Sequence, residues 1–495
     1  MNHRRNRLFM PLFAGVIAAM GQAPFDLPIG MLIGLVIVFR MVRNARTPRN
    51  AAFIGFCFGF AYFAVSLHWI ISPFLVDAAR HGWMAPFAVI MMAAVGALFW
   101  AAAFWVLGKL RYFWFLPLCF AAVEMLRAYI FTGFPWASPA QAMVEVPAGQ
   151  LLALIGPHGL NLVIMAVAAA VVVALDTLPR KRDYLLMAVM LLPFLPFPLV
   201  WLPAAAQTDH VLRLVQPNAP QADKWDPEKI GIFYNRQLTF TAAASDPELG
   251  PPDAVIWPET AIPWNLTYAE TILKEISTAA LGKPVILGVQ RTQEGLHYNS
   301  LIALGPQGAV TELYDKHHLV PFGEYVPLGN FMAHFGIYGM APQNGAGFSA
   351  GEGAALMDLG SLGRALPLIC YEAVFAHDVN ATPERPDFIV HATNDAWFGT
   401  YAGPQQHLAQ ARMRAIEQGL SVARAANTGI SAMIDPYGRI TQSLGMGQAG
   451  YIDAALPSPR TPTLYSRTGD WPVIALLLVL LGVLRVIGTK RAQIE

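Results

Sequence analysis

One stretch of this 495-residue chain indicates its fold most clearly: Ala365-Leu-Pro-Leu-Ile-Cys370-Tyr-Glu372. Its first five residues form an apolar run without in/out alternation, which is typical of a strand buried on both faces. A thiol ends the run, so Cys370 is a candidate nucleophile, because a thiolate attacks acyl groups readily once its proton is removed. The competing interpretation is a buried structural cysteine.

Similar β-rich runs recur on both sides of this stretch, with helical patterns between them. Strand–helix alternation, with several runs that lack in/out alternation, predicts an α/β domain with buried sheets, whose strand order stays open. The runs are 210–215, 254–257, 284–289, 300–304, 366–370, 387–391 and 430–434, and the helical patterns lie near 229–244, 267–281 and 404–420.

The chain as a whole is too apolar for an entirely water-soluble protein. It is 55% hydrophobic and 13% charged, with a mean hydropathy of +0.44, which indicates several membrane spans. The net charge of +1 gives no field that would favour nucleic acid. Three cysteines form no disulfide framework, and no Cys/His cluster suggests zinc.

Eight apolar stretches are long enough to cross a bilayer. They are 8–24, 29–42, 51–72, 84–108, 112–131, 149–175, 184–202 and 472–488. Every cluster of Arg and Lys between them falls on one side, so we expect both termini in the cytoplasm. We therefore predict a helical transmembrane bundle over 1–202, an extra-cytoplasmic domain over 203–471, and an eighth span with a cytoplasmic tail over 472–495.

Two charged residues of the predicted extra-cytoplasmic domain each follow or interrupt an apolar strand. Glu259 closes Val255-Ile-Trp-Pro-Glu259, and Lys316 lies in Glu312-Leu-Tyr-Asp-Lys316. Acyl transfer through a thiol needs a base that deprotonates the sulfur and a cation or donors for the developing oxyanion. Glu259, Lys316 and Cys370 could supply these roles, although a single Glu or Lys in a loop is usually a solvated surface residue.

The order and spacing of these three residues resemble the Glu–Lys–Cys triad of the nitrilase superfamily. Their flanking strings agree, as do a later string and one in the membrane part, and the resemblance covers nearly the whole chain. Together with eight predicted spans, they make the chain similar to the apolipoprotein N-acyltransferases, a membrane-integrated branch of that superfamily. The strings are Trp257-Pro-Glu259-Thr, Tyr314-Asp-Lys316-His-His-Leu-Val-Pro-Phe-Gly-Glu324-Tyr-Val-Pro327, Cys370-Tyr-Glu372, Thr393-Asn-Asp-Ala-Trp397-Phe-Gly399 and Gly133-Phe-Pro-Trp136.

The resemblance implies a nitrilase-like αββα sandwich in a bacterial inner-membrane enzyme whose catalytic domain faces the periplasm. The implied reaction is ping-pong: a membrane phospholipid gives an acyl chain to Cys370, and the thioester passes it to the α-amino group of the S-diacylglyceryl cysteine that begins an apolipoprotein. Besides these substrates and the bilayer, no cofactor, metal or nucleic acid is expected, and we expect a monomer.

Further site residues are expected around the triad. The resemblance implies that Glu324 holds the Lys316 ammonium in place. We expect the backbone N–H of Tyr371 to stabilise the oxyanion together with Lys316, and Glu372 is the next residue in the chain. The apolar, aromatic stretch 327–340 predicts a mobile lid at the membrane, with core packing as the alternative. The candidates for substrate contact are Trp136, Trp225, Phe331, Phe335 and Trp397.

Other interpretations remain. Gly347-Phe-Ser349-Ala-Gly351 fits the GxSxG pattern of serine hydrolases, but loop residues flank it where that motif needs a strand and a helix. His317 and His318 are adjacent, and on a strand they would point to opposite faces, which disfavours a shared metal. Two other functions stay open: a membrane-tethered nitrilase-type amidase acting on small amides, and a transporter whose outer domain binds ligand.

Overall fold

The chain divides into two compact units in the computed structural model, which describes residues 2–110, 112–177, 181–197, 202–327 and 347–492. The first unit comprises Met1–Pro203, Tyr401–Ala409 and Pro462–Glu495, and the second comprises Ala204–Thr400 and Gln410–Thr461. Segments 401–409 and 462–471, which the sequence analysis assigned to the extra-cytoplasmic domain, therefore belong to the first unit.

The first unit is helical. Helix Gly403–Gln418 begins in it, and residues from Gln410 onward belong to the second unit. Its other α-helices are Asn2–Ala19, Pro28–Arg43, Pro48–Ser66, Ile71–Leu75, Ala78–His81, Ala85–Leu110, Leu116–Tyr129, Leu152–Thr177, Lys181–Leu191, Leu464–Thr468 and Trp471–Ala492.

Fewer membrane spans are found than the eight predicted. Within the described residues, three helical stretches are long and apolar enough to cross a bilayer, and a fourth candidate is a helix pair bent by 57°. A helix covers part of every predicted stretch, but several are short, with 16 residues in Pro28–Arg43 and 11 in Lys181–Leu191. The three stretches are Ala78–Leu110, Phe113–Thr132 and Pro147–Thr177, and the bent pair is Pro48–Ser66 with His68–Leu75.

The second unit contains two six-stranded sheets, ordered β12-β1-β2-β3-β4-β5 and β11-β10-β9-β8-β7-β6. Strands β1, β2 and β3 run parallel, as do β7, β8 and β9, and the other neighbours pair antiparallel. The strands are β1 (Gln207–Gln216), β2 (Ala254–Ile256), β3 (Val285–Gln293), β4 (Leu296–Leu304), β5 (Val310–Asp315), β6 (Met357–Asp358), β7 (Arg364–Ile369), β8 (Phe388–Thr393), β9 (Val422–Ala426), β10 (Ser431–Ile434), β11 (Ile440–Leu444) and β12 (Gly450–Pro457).

The two faces of the first sheet bury different partners. Leu214 and Ile256 pack into one apolar core with Ile369 of the second sheet. Val215 and Val255, one residue away, pack with side chains of helices Ile230–Thr241 and Glu270–Ala279. Adjacent residues thus point to opposite faces, and both faces are covered. The predicted α/β domain with buried sheets is confirmed, and both of its sheets are mixed.

Five strands were missed by the sequence analysis, and their composition explains why. β11 is an edge strand whose residues Ile440-Thr-Gln-Ser-Leu are mostly polar and exposed. β9 is rich in alanine, which favours helices, and its central Arg424 is fully buried. That guanidinium is paired with the Asp395 carboxylate at 2.5 Å. Strands β5, β6 and β12 were also missed, because each mixes charged and apolar residues and none forms a continuous apolar run.

Candidate active site

Glu259 lies in a tight turn that follows β2. Gly288 of β3 passes so close to this turn that an added Cβ would lie 2.6 Å from the Glu259 Cα, so no larger residue fits there. Thr260 adopts a positive φ of 47°, a conformation that non-glycine residues rarely take. The turn therefore gives the Glu259 main chain a fixed place, and the side chain is buried.

Lys316 follows β5 directly and is held between two carboxylates. Its side chain is 1% exposed, and its Nζ lies 2.8 Å from Glu324 Oε2 and 3.7 Å from Glu259 Oε1. Burial lowers the pKa of Lys316, but the charges of Glu324 and Glu259 outweigh that effect, so the pKa ends above its usual value. The ammonium therefore keeps its charge at physiological pH.

Two asparagines whose role was not predicted from the sequence donate hydrogen bonds to the carboxylates beside Lys316. Asn299 Nδ2 donates to Glu259 Oε1 at 2.7 Å and to Glu324 Oε1 at 3.1 Å. The backbone N–H of Asn394 donates to Glu259 Oε2 at 2.9 Å. Both Glu259 oxygens are thus hydrogen-bonded in a fixed direction. The available signals were a polar Asn299 just before the apolar run 300–304 and the place of Asn394 in the string 393–399.

Cys370 directly follows β7, at the start of the short 3-10 helix Cys370–Val374, and is 5% exposed. Its φ of 51° is positive, which marks a strained turn at the carboxyl end of parallel strands. Burial raises the pKa of the Cys370 thiol far above its usual range, and the charge of Glu259 adds to this, while Lys316 and a hydrogen bond with Thr393 lower it. The resting group is therefore a neutral thiol that needs a base when substrate arrives.

Glu372 connects the loop after β7, which holds Cys370, to the loop after β5, which holds Lys316. It is fully buried, and its Oε2 accepts from the Ile369 N–H at 2.7 Å, one residue before Cys370. Its Oε1 accepts from the His317 N–H at 2.9 Å, one residue after Lys316. One carboxylate therefore fixes the spacing of the two loops.

The structure also describes the other residues of the second unit that the sequence singled out. Tyr371 is buried, with its ring 5.8 Å from the His318 ring. His318 Nδ1 lies 2.6 Å from an Asp378 oxygen, so its ring is engaged by a carboxylate. Trp397 is partly buried in the short 3-10 helix Asp395–Phe398. Ser349 lies in a segment without helix or strand, as expected for a chance GxSxG match.

The candidates for substrate contact do not form one group. Trp225 is 39% exposed and lines an open cleft, together with Pro258, which precedes Glu259 in the chain. Trp136 belongs to the first unit, where it is fully buried and donates Nε1 to Gln406 Oε1 at 2.7 Å. That environment leaves Trp136 no exposed surface for a substrate. Phe331 and Phe335 lie outside the described residues.

Glu259, Lys316 and Cys370 are thus brought together in the second unit, with Glu324 and Glu372 as their supports. A carboxylate aligned by two N–H donors can accept a proton from the thiol. A permanently charged ammonium can stabilise an oxyanion that forms at an attacked carbonyl. The arrangement has the chemical means for nucleophilic acyl transfer.

Comparison with known proteins assigns both parts of the chain. Residues 14–170 match the family model described as "Apolipoprotein N-acyltransferase N-terminal domain", and residues 214–464 match "Carbon-nitrogen hydrolase". An apolipoprotein N-acyltransferase of Rhodopseudomonas palustris is 35% identical over 97% of this chain and 95% of its own. One from Bradyrhizobium diazoefficiens is 36% identical over 98% and 96%.

Among solved structures, an amidase from Nesterenkonia sp. aligns with 52% of this chain and 93% of its own at 18% identity, with a TM-score of 0.37. That likeness is too distant to carry an argument. The two family models and the near full-length relatives are sufficient to show the family. The chain belongs to the apolipoprotein N-acyltransferase family.

Proposed function

We propose that the protein transfers an acyl chain from a membrane phospholipid to the α-amino group of the S-diacylglyceryl cysteine that begins an apolipoprotein. Cys370 carries the chain between the two substrates as a thioester. Relatives that match over nearly their whole length bear the name of this enzyme. The observation that carries the assignment of residues is the buried Lys316 ammonium, held by Glu259 and Glu324 beside the Cys370 thiol.

In the first half-reaction, Glu259 takes the proton from Cys370, and the sulfur attacks the ester carbonyl of the phospholipid. The negative charge that develops on the carbonyl oxygen is stabilised by Lys316 and by the backbone N–H of Tyr371. The carbon–oxygen bond then breaks, and the lysophospholipid leaves with the proton that Glu259 returns. The acyl chain remains on sulfur.

In the second half-reaction, the amine of the lipoprotein attacks the thioester carbonyl through the same oxyanion site. Glu259 accepts a proton from the amine nitrogen, the carbon–sulfur bond breaks, and the proton returns to Cys370. A thioester reacts with amines faster than the oxygen ester from which it was made, so the chain on sulfur passes readily to the amine. Strained turns at Thr260 and Cys370 keep the two groups in position.

The location that we propose is the bacterial inner membrane, with both termini in the cytoplasm and the catalytic unit in the periplasm. Arg and Lys clusters on one side of the apolar stretches support this orientation. Both proposed substrates keep their acyl chains in the bilayer, which suits a catalytic unit joined to apolar helices. The remaining predicted spans belong to the same proposal, and site-directed labelling of loop cysteines from either side of the membrane would test it.

Acyl transfer is tested with the purified full-length protein, a defined phospholipid and a diacylated lipopeptide. The lipopeptide should gain the mass of one acyl chain. Cys370→Ala should abolish the gain, and Ser349→Ala should leave it unchanged, because Ser349 lies outside the site. Ammonia release from small amides without acylation of the lipopeptide would instead support a nitrilase-type amidase, which would use the same residues with water as the second nucleophile.

A further inference from the structure

A second buried lysine lies at this site. Lys224 is 7% exposed, in the loop between β1 and helix Ile230–Thr241. Its Nζ donates to the backbone oxygen of Glu259 at 3.3 Å and lies 5.1 Å from the centre of the Trp225 ring. A buried ammonium needs such partners, since desolvation without them is costly.

The charges around the nucleophile do not balance without this lysine. Two carboxylates, Glu259 and Glu324, face the single ammonium of Lys316, which leaves one excess negative charge. When Glu259 takes the proton of Cys370, this excess negative charge moves onto the sulfur, which is also buried, and an uncompensated charge there is costly. Asp395 adds little to the excess, because Arg424 pairs with it at 2.5 Å.

We propose that Lys224 is a positioning residue of this active site, whose ammonium fixes the Glu259 main chain and balances the excess negative charge beside Cys370. This inference rests on the proposed function, because it concerns formation of the thioester. Lys224 acts through Glu259 and through its field, and it forms no bond to either substrate. The two lysines thus have different tasks: Lys316 faces the oxyanion, and Lys224 faces the base.

The charge of Lys224 can change near neutral pH. Burial lowers its pKa to about 8, although the charges of Glu259 and Cys370 act in the opposite direction. These two groups face it from neighbouring elements, Lys316 lies across the Glu259 carboxylate, and Tyr234 lines the same cleft. On its own loop, Asp223 and Asp226 pair with Lys229.

The test is the rate of thioester formation from phospholipid in full-length wild type and Lys224→Met, measured over a range of pH. The wild type should be about tenfold faster or more below pH 8, where Lys224 is charged. The ratio should then shrink towards one as the pH rises through that value. In Lys224→Arg, which keeps its charge, the rate relative to wild type should rise over the same range.

Packing of the lysine stem alone predicts a ratio that does not depend on pH, and that result, or a ratio of one throughout, would overturn the inference. Lys229→Met is the matched control, since Lys229 is 43% exposed in the same loop, and no change is expected. If Lys224→Met has a much lower melting temperature than wild type, the pH dependence of the Lys224→Arg rate tests the inference by itself. A wild-type protein that forms no thioester with phospholipid would instead refute the proposed function on which the inference rests.

Discussion

Each unit of the protein buries a cluster of charges, and the two clusters are built differently. In the first unit, Glu124 and Arg127 pair at 2.7 Å with side chains 1% and 4% exposed. Trp100 Nε1 donates to Glu124 Oε1 at 2.8 Å, and Arg127 donates to the backbone oxygens of Phe134 and Trp136. One positive charge meets one negative charge, and both are well hydrogen-bonded.

In the second unit, the Lys316 ammonium meets two carboxylates, Glu259 and Glu324, and a thiol lies beside them. Clusters of several buried ionisable groups are costly, so they persist where chemistry uses them. We infer that the single ion pair of the first unit holds a fold together, whereas the carboxylates, ammonium and thiol of the second unit move protons. This difference can be tested by removing one carboxylate from each cluster.

The largest effect is expected from Glu259→Gln in the second unit. The amide keeps the shape of the side chain but cannot accept the thiol proton, so acyl transfer to a lipopeptide should fall by about 10²- to 10⁴-fold. The melting temperature should fall only moderately, because the Gln oxygen can keep one of the two hydrogen bonds and Lys316 keeps the Glu324 carboxylate. Glu270→Gln is a suitable control, because Glu270 is an exposed partner of Lys274. Activity within a few-fold of wild type would remove Glu259 from the mechanism.

Glu124→Ala in the first unit should act on stability. It leaves the buried Arg127 guanidinium without its carboxylate, which costs about 3–5 kcal/mol of unfolding free energy. Thermal unfolding in detergent measures the loss, and the activity of the molecules that remain folded should stay near wild type. A variant that melts normally but transfers no acyl chain would show that this pair is functional, and the contrast between the units would fail.

The smallest effect is expected at His317, which lies at the edge of the second cluster. Burial lowers its pKa, but Asp378 and Glu372 outweigh this and raise the pKa from 6.5 to about 10. Because the folded pKa is the higher one, the stabilisation by charged His317 is complete below pH 6.5 and is lost as the pH rises to about 10.

His317→Gln should therefore lower the melting temperature most in mildly acidic buffer, and the difference from wild type should shrink towards alkaline pH. Melting curves at several pH values measure it. A difference that grows with pH would mean that the folded state holds His317 uncharged, and that its contacts with Glu372 at 2.8 Å and Asp378 at 3.7 Å stabilise no charge.

Much of the second unit could be predicted from sequence, because its signals are local. The apolar run before Cys370 and the strings around Glu259 and Lys316 each lie within a few residues of the group that they position. Asn299 and Lys224 could not be found in this way. Each contacts Glu259 from a distant part of the chain, and neither belongs to a pattern of spacing.

The division of the chain was harder to predict for the same reason. Helix Gly403–Gln418 was foreseen, but its first turns belong to the first unit. There Gln406 Oε1 accepts from Trp69 Nε1 at 3.2 Å and from Trp136 Nε1 at 2.7 Å. These partners lie 270 and 337 residues away in the chain, so the sequence near Gln406 does not indicate them.

The proposed reaction depends most on Cys370 as the carrier of the acyl chain, and one measurement tests this directly. The full-length protein is incubated with a phospholipid that has a labelled acyl chain, without acceptor, and then digested and analysed by mass spectrometry. We predict one labelled chain on the peptide that contains Cys370, released by hydroxylamine and by addition of the lipopeptide amine. Label on another residue, or transfer to the lipopeptide without any labelled Cys370, would contradict the account.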